Sequence, residues 1–220
     1  MALRLFHVTE FAQSTLSPAA QRSSWHPTTV LTLISLWLTV AGNLPLWREI
    51  ARAPDAALAG HGGFSLGLYL ALLCFTTLGL LLTVLNWAPL LKLSATVLLW
   101  LCAVNAELLW TGQTILRWDL AHLQSNLGPL ITHLSRQTWW QHLLFLGLLA
   151  ALPSLWLWNL NIRRVRLGRR LPQNLLLALV WAAALAALWF IGRNAFLPLL
   201  QTTHWGDWLS PFNTLLGLLR

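Results

Sequence analysis

Arg163-Arg164-Val165-Arg166-Leu167-Gly168-Arg169-Arg170 crowds five guanidinium groups into one short stretch. An apolar run, 138–160, precedes it, and a second, 174–196, follows it. About 20 mostly apolar residues suffice to cross bilayer hydrocarbon as a helix, so both flanks are membrane-span candidates. Positive charge between two spans stays on the cytoplasmic side. The stretch therefore predicts both an integral membrane protein and its orientation.

Composition agrees along the whole chain. Of 220 residues, 57% are hydrophobic and 9% charged, with 15 tryptophans. A soluble domain of this size could neither hide that apolar surface nor cover itself with so few charges. The net charge of +8 raises the question of a nucleic-acid partner. Arg163, Arg164, Arg166, Arg169 and Arg170 supply five of the 14 basic residues, and there is no soluble basic domain. The charge thus reads as topogenic, facing anionic lipid heads, and no nucleic-acid partner is expected. Cys74 and Cys102 both fall in apolar runs and read as small packing residues. No signal-peptide core precedes Pro27, so the first apolar run is expected to stay as an uncleaved span.

Five stretches reach spanning length: 28–47, 64–87, 90–112, 138–160 and 174–196. Tryptophans at or near their ends (Trp25, Trp47, Trp87, Trp110, Trp139 and Trp158 among them) read as interfacial belts. The predicted fold class is all-α, a polytopic membrane protein of five transmembrane helices in 28–196. Its arginine loop, the N-terminal segment 1–27 and the turn 86–92 are cytoplasmic. The loops 48–63 and 113–137 and an interfacial tail, 197–220, face outward. In a Gram-negative cell this means the inner membrane, with the C-terminus in the periplasm. Between Leu120 and Leu134, apolar residues recur with helical period, interrupted at Gly128-Pro129. That pattern predicts two short helices lying on the outer membrane surface.

Chemistry-bearing residues are sparse. Glu107 stands in the third span near its outward end. An intramembrane carboxylate is a functional candidate by default, because burial costs several kcal/mol unless the group is paired or wetted. The structural alternative is that Glu107 reaches the interface or pairs with Arg117. Asn43, near the end of the first span and followed by Pro45, suits either helix–helix hydrogen bonding or an outward headgroup cavity. Asp119, His122, His133 and His142 come nearest to a metal cluster, but no tight H-x-x-x-H spacing appears, so solvated interfacial histidines are expected. There is no phosphate-binding loop, nucleophile elbow or paired-cysteine motif, and no complete catalytic constellation.

Three segments resemble a known family. Ser35–Ile50 is similar to the first span of the phosphoethanolamine–lipid A transferases of the polymyxin-resistance type. Leu152-Pro153-Ser154-Leu155-Trp156-Leu157-Trp158, followed by Ile162–Arg166, resembles the end of that family's fourth span and its basic loop. Ser210-Pro211-Phe212-Asn213 matches a stretch beyond the fifth span.

The resemblance implies a membrane domain that positions phosphatidylethanolamine and lipid A headgroups for lipopolysaccharide modification. Phosphoethanolamine transfer itself would fall to a zinc-bearing, hydrolase-like periplasmic domain outside this chain. It implies no cofactor in the chain itself. By alignment with the family, Asp119 matches its outward-loop aspartate, and Asn126, with a one-residue slip, its asparagine. Pro129 and His133 replace a threonine and a glutamate, and Leu200-Gln201 an Arg-Asn pair. The headgroup site expected on this reading comprises Asn43, Glu107, Asp119 and Asn126, with no catalytic residue and no metal. The alternative of a different class is a catalytically silent five-span scaffold or assembly partner. A monomer is the default for either.

Overall fold

The computed structural model describes residues 24–53, 62–86, 88–110, 139–162, 167–194, 196 and 209. Asp119, Asn126, Pro129, His122, His133 and the motif 210–213 lie outside the described residues, as do the surface helices expected over 120–134. Helices α1 (Pro27–Val40), α2 (Leu44–Arg52), α3 (Gly63–Val84) and α4 (Ala88–Trp110) come first. A short α5 (Trp139–His142) then runs through a π-helix, Leu143–Ala151, into α6 (Leu152–Asn159), and α7 spans Leu167–Gly192. No strand occurs among the described residues, apart from one isolated bridge between Trp25 and Ile162. The protein is an all-α polytopic membrane protein. Four helical stretches are long and apolar enough to cross a bilayer, and the bent pair α1–α2 makes a fifth if it counts as one broken span.

The break between α1 and α2 has a local cause. Pro27 opens α1 at a position where its missing N–H costs nothing, and His26 Nδ1 accepts from the Thr28 N–H. At 14 residues α1 is about 21 Å long, short of the roughly 30 Å of hydrocarbon. Pro45 cannot continue the hydrogen-bond ladder, and the chain turns by 43° at 41–43 before α2. A helix end inside a membrane must find donors for its last carbonyls. Ala41 N–H donates to Trp37 O, Asn43 Nδ2 donates to Leu38 O and Thr39 O, and Trp47 Nε1 donates to Val40 O. All four carbonyls of the last turn are thereby satisfied. The straight 28–47 span expected from hydropathy is in fact this capped bend.

The fourth transmembrane stretch is irregular for a related reason. Pro153 has no N–H to offer Leu149, four residues back. From α1, the Trp37 indole N–H reaches that same Leu149 carbonyl at 3.2 Å. The preceding turns, Leu143–Ala151, take the wider π form, which is rare and concentrates at functional sites.

Helix α4 is the hub. Ala95, Leu99, Cys102, Ala103 and Ala106 are buried along one face at helical spacing. The alanines and Cys102 among them are small enough to let α1, α2 and the π-helix come close, as membrane helix packing requires. Over the most apolar window of each helix, 56% of α4 residues are buried against 6% in α7. Helix α7 packs chiefly along α3, where Gly79 admits the Trp181 ring and Gly192 admits Tyr69.

One end of the bundle is tied by polar contacts. Trp25 N–H donates to Asn161 O, and Lys92 Nζ donates to Trp158 O and Leu160 O, capping α6. Asn86 Nδ2 donates to Asn174 Oδ1 at 2.9 Å, and Arg170 donates to Asn86 Oδ1 at 3.2 Å. Arg169 and Arg170 lie in the first turn of α7 rather than in the loop before it. Arg163, Arg164 and Arg166 lie outside the described residues.

Candidate functional site

The opposite end of the bundle holds a buried acid. Glu107, three residues before the end of α4, is fully buried. Its partner is His142, the last residue of α5, with Nδ1 at 2.5 Å from Glu107 Oε1. An intramembrane carboxylate demands such a partner, since the charged form loses several kcal/mol of hydration there. The sequence left two structural readings open for Glu107, the interface or Arg117. Arg117 lies outside the described residues; among the described ones the partner is a histidine set against the first π turn, and that imidazole remains 27% exposed. His142 therefore connects a buried acid to the surface at this end of the bundle.

A roof of aromatic and basic groups surrounds the pair. Trp110, one turn beyond Glu107, lies 5.7 Å from the Phe145 ring of the π-helix. Arg48 of α2 lays its guanidinium over Trp110 at 4.3 Å and also contacts Glu49 at 3.3 Å. Such stacking keeps a guanidinium at an apolar surface with only part of its hydration lost.

Asn43 is buried in the same half of the bundle. Besides capping α1, its amide donates to Cys74 Sγ of α3 at 3.6 Å. Gly42, beside it, abuts Cys102 on α4, little more than one turn before Glu107. Of the four expected headgroup residues, Asn43 and Glu107 therefore share one region. Among the described residues, no group of three His, Cys, Asp or Glu side chains could hold a metal ion.

Sequence reasoning weighed His142 as a metal-ligand candidate, preferred a solvated interfacial histidine, and did not pair it with Glu107. A signal was present: Glu107 stands just before the outward end of one span and His142 just after the outward start of the next. The two are thus forced to the same depth.

Toward the middle of the bundle, an apolar groove of about 390 Å3 opens between α1, α4 and the π-helix. Leu33, Trp37, Leu99, Leu148, Pro153 and Trp156 line it. The Trp37 ring is fixed there by its bond to Leu149 O. A groove of this composition, facing hydrocarbon, suits a lipid chain and offers nothing to a polar solute.

No family model matches the chain, and no solved structure matches it. A curated protein of Erwinia tasmaniensis, described as a probable 4-amino-4-deoxy-L-arabinose-phosphoundecaprenol flippase subunit ArnF, is 34% identical over 118 residues. The match takes in 52% of this chain and 86% of that protein. It overturns the resemblance to the phosphoethanolamine–lipid A transferases, because ArnF is of a different family. Phosphoethanolamine transfer, lipid A as acceptor and the silent scaffold are set aside with it.

The physical reason lies in the segments that carried the resemblance. The Gly42–Pro45 stretch is a capped helix break, and Leu152–Trp158 is a proline-interrupted, tryptophan-rich helix end. A bilayer imposes both features on helices of many families. The extent of the match with ArnF is of another kind, and the chain belongs to the family of the ArnF flippase subunit.

Proposed function

We propose that this chain is one subunit of a carrier that moves a sugar-bearing phosphoisoprenoid lipid across the bacterial inner membrane. The observation that carries the reading is the 34% identity extending over 86% of ArnF. Two features of the bundle support it. The apolar groove beside Trp37 and Pro153 offers the isoprenoid chain a channel within the hydrocarbon layer. The polar end around Glu107 and His142 offers the sugar hydrogen-bonding partners at the headgroup level. Asp119 and Asn126 remain candidates for the same headgroup role. A second membrane chain completes the carrier, in place of the monomer favoured by sequence alone.

Orientation follows from the arginines. The charge of Arg163–Arg170 supports the Lys92 and Asn86 end lying in the cytoplasm and the Glu107 end toward the periplasm. A reporter enzyme that is active only outside the cytoplasm, fused after Arg220, is expected to be active. Activity from a fusion within 163–166 instead would reverse the assignment.

Lipid binding by the purified chain tests the substrate class. In native mass spectrometry, 4-amino-4-deoxy-L-arabinose-phosphoundecaprenol is expected to outcompete phosphatidylethanolamine by tenfold or more, about 1.4 kcal/mol. Leu148→Trp, which fills the groove, is expected to remove that preference. Equal retention of both lipids by the unaltered chain refutes the proposal.

A further inference from the structure

We propose that Glu107 and His142 form a proton-exchange site built into the contact between α4 and the start of the fourth transmembrane stretch. The inference stands on the pair's geometry and goes beyond the transport reading.

Three observations lead to it. First, the carboxylate is fully buried while its imidazole partner is 27% exposed, so a proton has a path in and out through one side chain. Second, Glu107 Oε1 and His142 Nδ1 lie close enough to share a proton directly. Third, the pair adjoins nine residues of π-helix, whose hydrogen bonds differ by one residue from those of an α-helix. A change of register there would move His142 relative to α4.

Among the described residues, the surroundings contain few competing charges. Helices α1 and α6 and the π-helix carry no titratable side chain. From α2, Arg48 sits over Trp110 and contacts Glu49, while Arg52 is exposed. From α3 come Tyr69 and Cys74, and α4 itself adds Cys102. Glu107 is the one buried carboxylic acid among the described residues.

The proton balance is simple. With one shared proton the pair is neutral overall, whether written as carboxylate and imidazolium or as acid and neutral imidazole. A second proton, drawn from water at this end of the bundle through His142, leaves a neutral acid beside an imidazolium with net charge of plus one. The ion pair between α4 and His142 is then replaced by a hydrogen bond from the imidazolium to a neutral acid, and the tether at the entry to the π-helix weakens. Release of the proton by the same route restores it. No further reactant is needed, and intramembrane acids paired with histidine serve as proton relays on general grounds.

Infrared difference spectroscopy on the full chain in lipid nanodiscs, labelled with carboxyl-13C glutamate, tests this without substrate. The chain has three glutamates, Glu10, Glu49 and Glu107, so assignment is tractable. Acidification is expected to bring up a labelled carboxylic-acid band that Glu107→Gln removes. His142→Gln, which keeps the carboxyl group and a hydrogen-bonding partner, is expected to move the pH at which that band appears by about one unit or more, a tenfold change in proton affinity. A Glu107 signal that stays constant across the pH range of carboxyl and imidazole titration overturns the proposal. So does a band whose position on the pH axis is the same in His142→Gln as in the unaltered chain. The second comparison decides the matter even if Glu107→Gln fails to fold. Because no sugar lipid is present, failure here leaves the transport reading intact, and failure of lipid binding leaves this one intact.

Discussion

Individual polar residues in this protein do what a membrane obliges them to do. Asn43 and Trp47 supply donors to a helix end inside the membrane, and Lys92 caps the end of α6 at the opposite face. Glu107 was legible in the sequence as a lone acid in an apolar run, since its type and position suffice to flag it. Its partner was not legible. Some 35 positions separate Glu107 from His142, and pairing across two helix ends depends on how those helices rotate and pack, which periodicity does not encode. Asn43 was legible as a polar group near a span's end, whereas its capping role required knowing that the chain bends before Pro45. Asp119 and Asn126 lie outside the described residues.

Elements were legible where hydropathy alone sets them. Helices α3 and α4, at 22 and 23 residues, carry long apolar runs that only a helix can place in a bilayer. Hydropathy has no information on helix type, so the π-helix and the 43° bend were invisible to it. The attachment of α7 was invisible too, because it depends on glycines that periodicity treats as neutral. A Cβ on Gly79 would come within 2.7 Å of the Trp181 ring, which is itself held edge-on against Phe75. Gly79→Leu is therefore expected to destabilise the packing of α7 on α3 by about 1–3 kcal/mol. Thermal unfolding in detergent measures this, with protease cleavage of α7 as a second readout. Gly67→Leu, on the same helix but with open space around it, is expected to change stability by less than about 0.5 kcal/mol. Equal losses from the two variants would contradict the packing account.

On the scale of the whole molecule, the bundle has a cationic end tied by Asn86, Lys92 and Arg170, and an end where Glu107 meets His142. Between them runs an apolar groove on the lipid side. That polarity, with family membership, supports the account's central proposal: the chain is one subunit of a carrier for an amino-sugar phosphoisoprenoid. Fold class was legible at this scale from composition alone, but the family was not. Short tryptophan- and proline-rich motifs recur wherever helices meet a bilayer surface, and they pointed to the wrong relatives. The most direct measurement is the labelling of 4-amino-4-deoxy-L-arabinose-phosphoundecaprenol by a membrane-impermeant amine reagent, in cells with and without this chain. Loss of the chain is expected to lower the labelled fraction about tenfold at unchanged total lipid, with restoration by the unaltered chain. An unchanged labelled fraction would contradict the account.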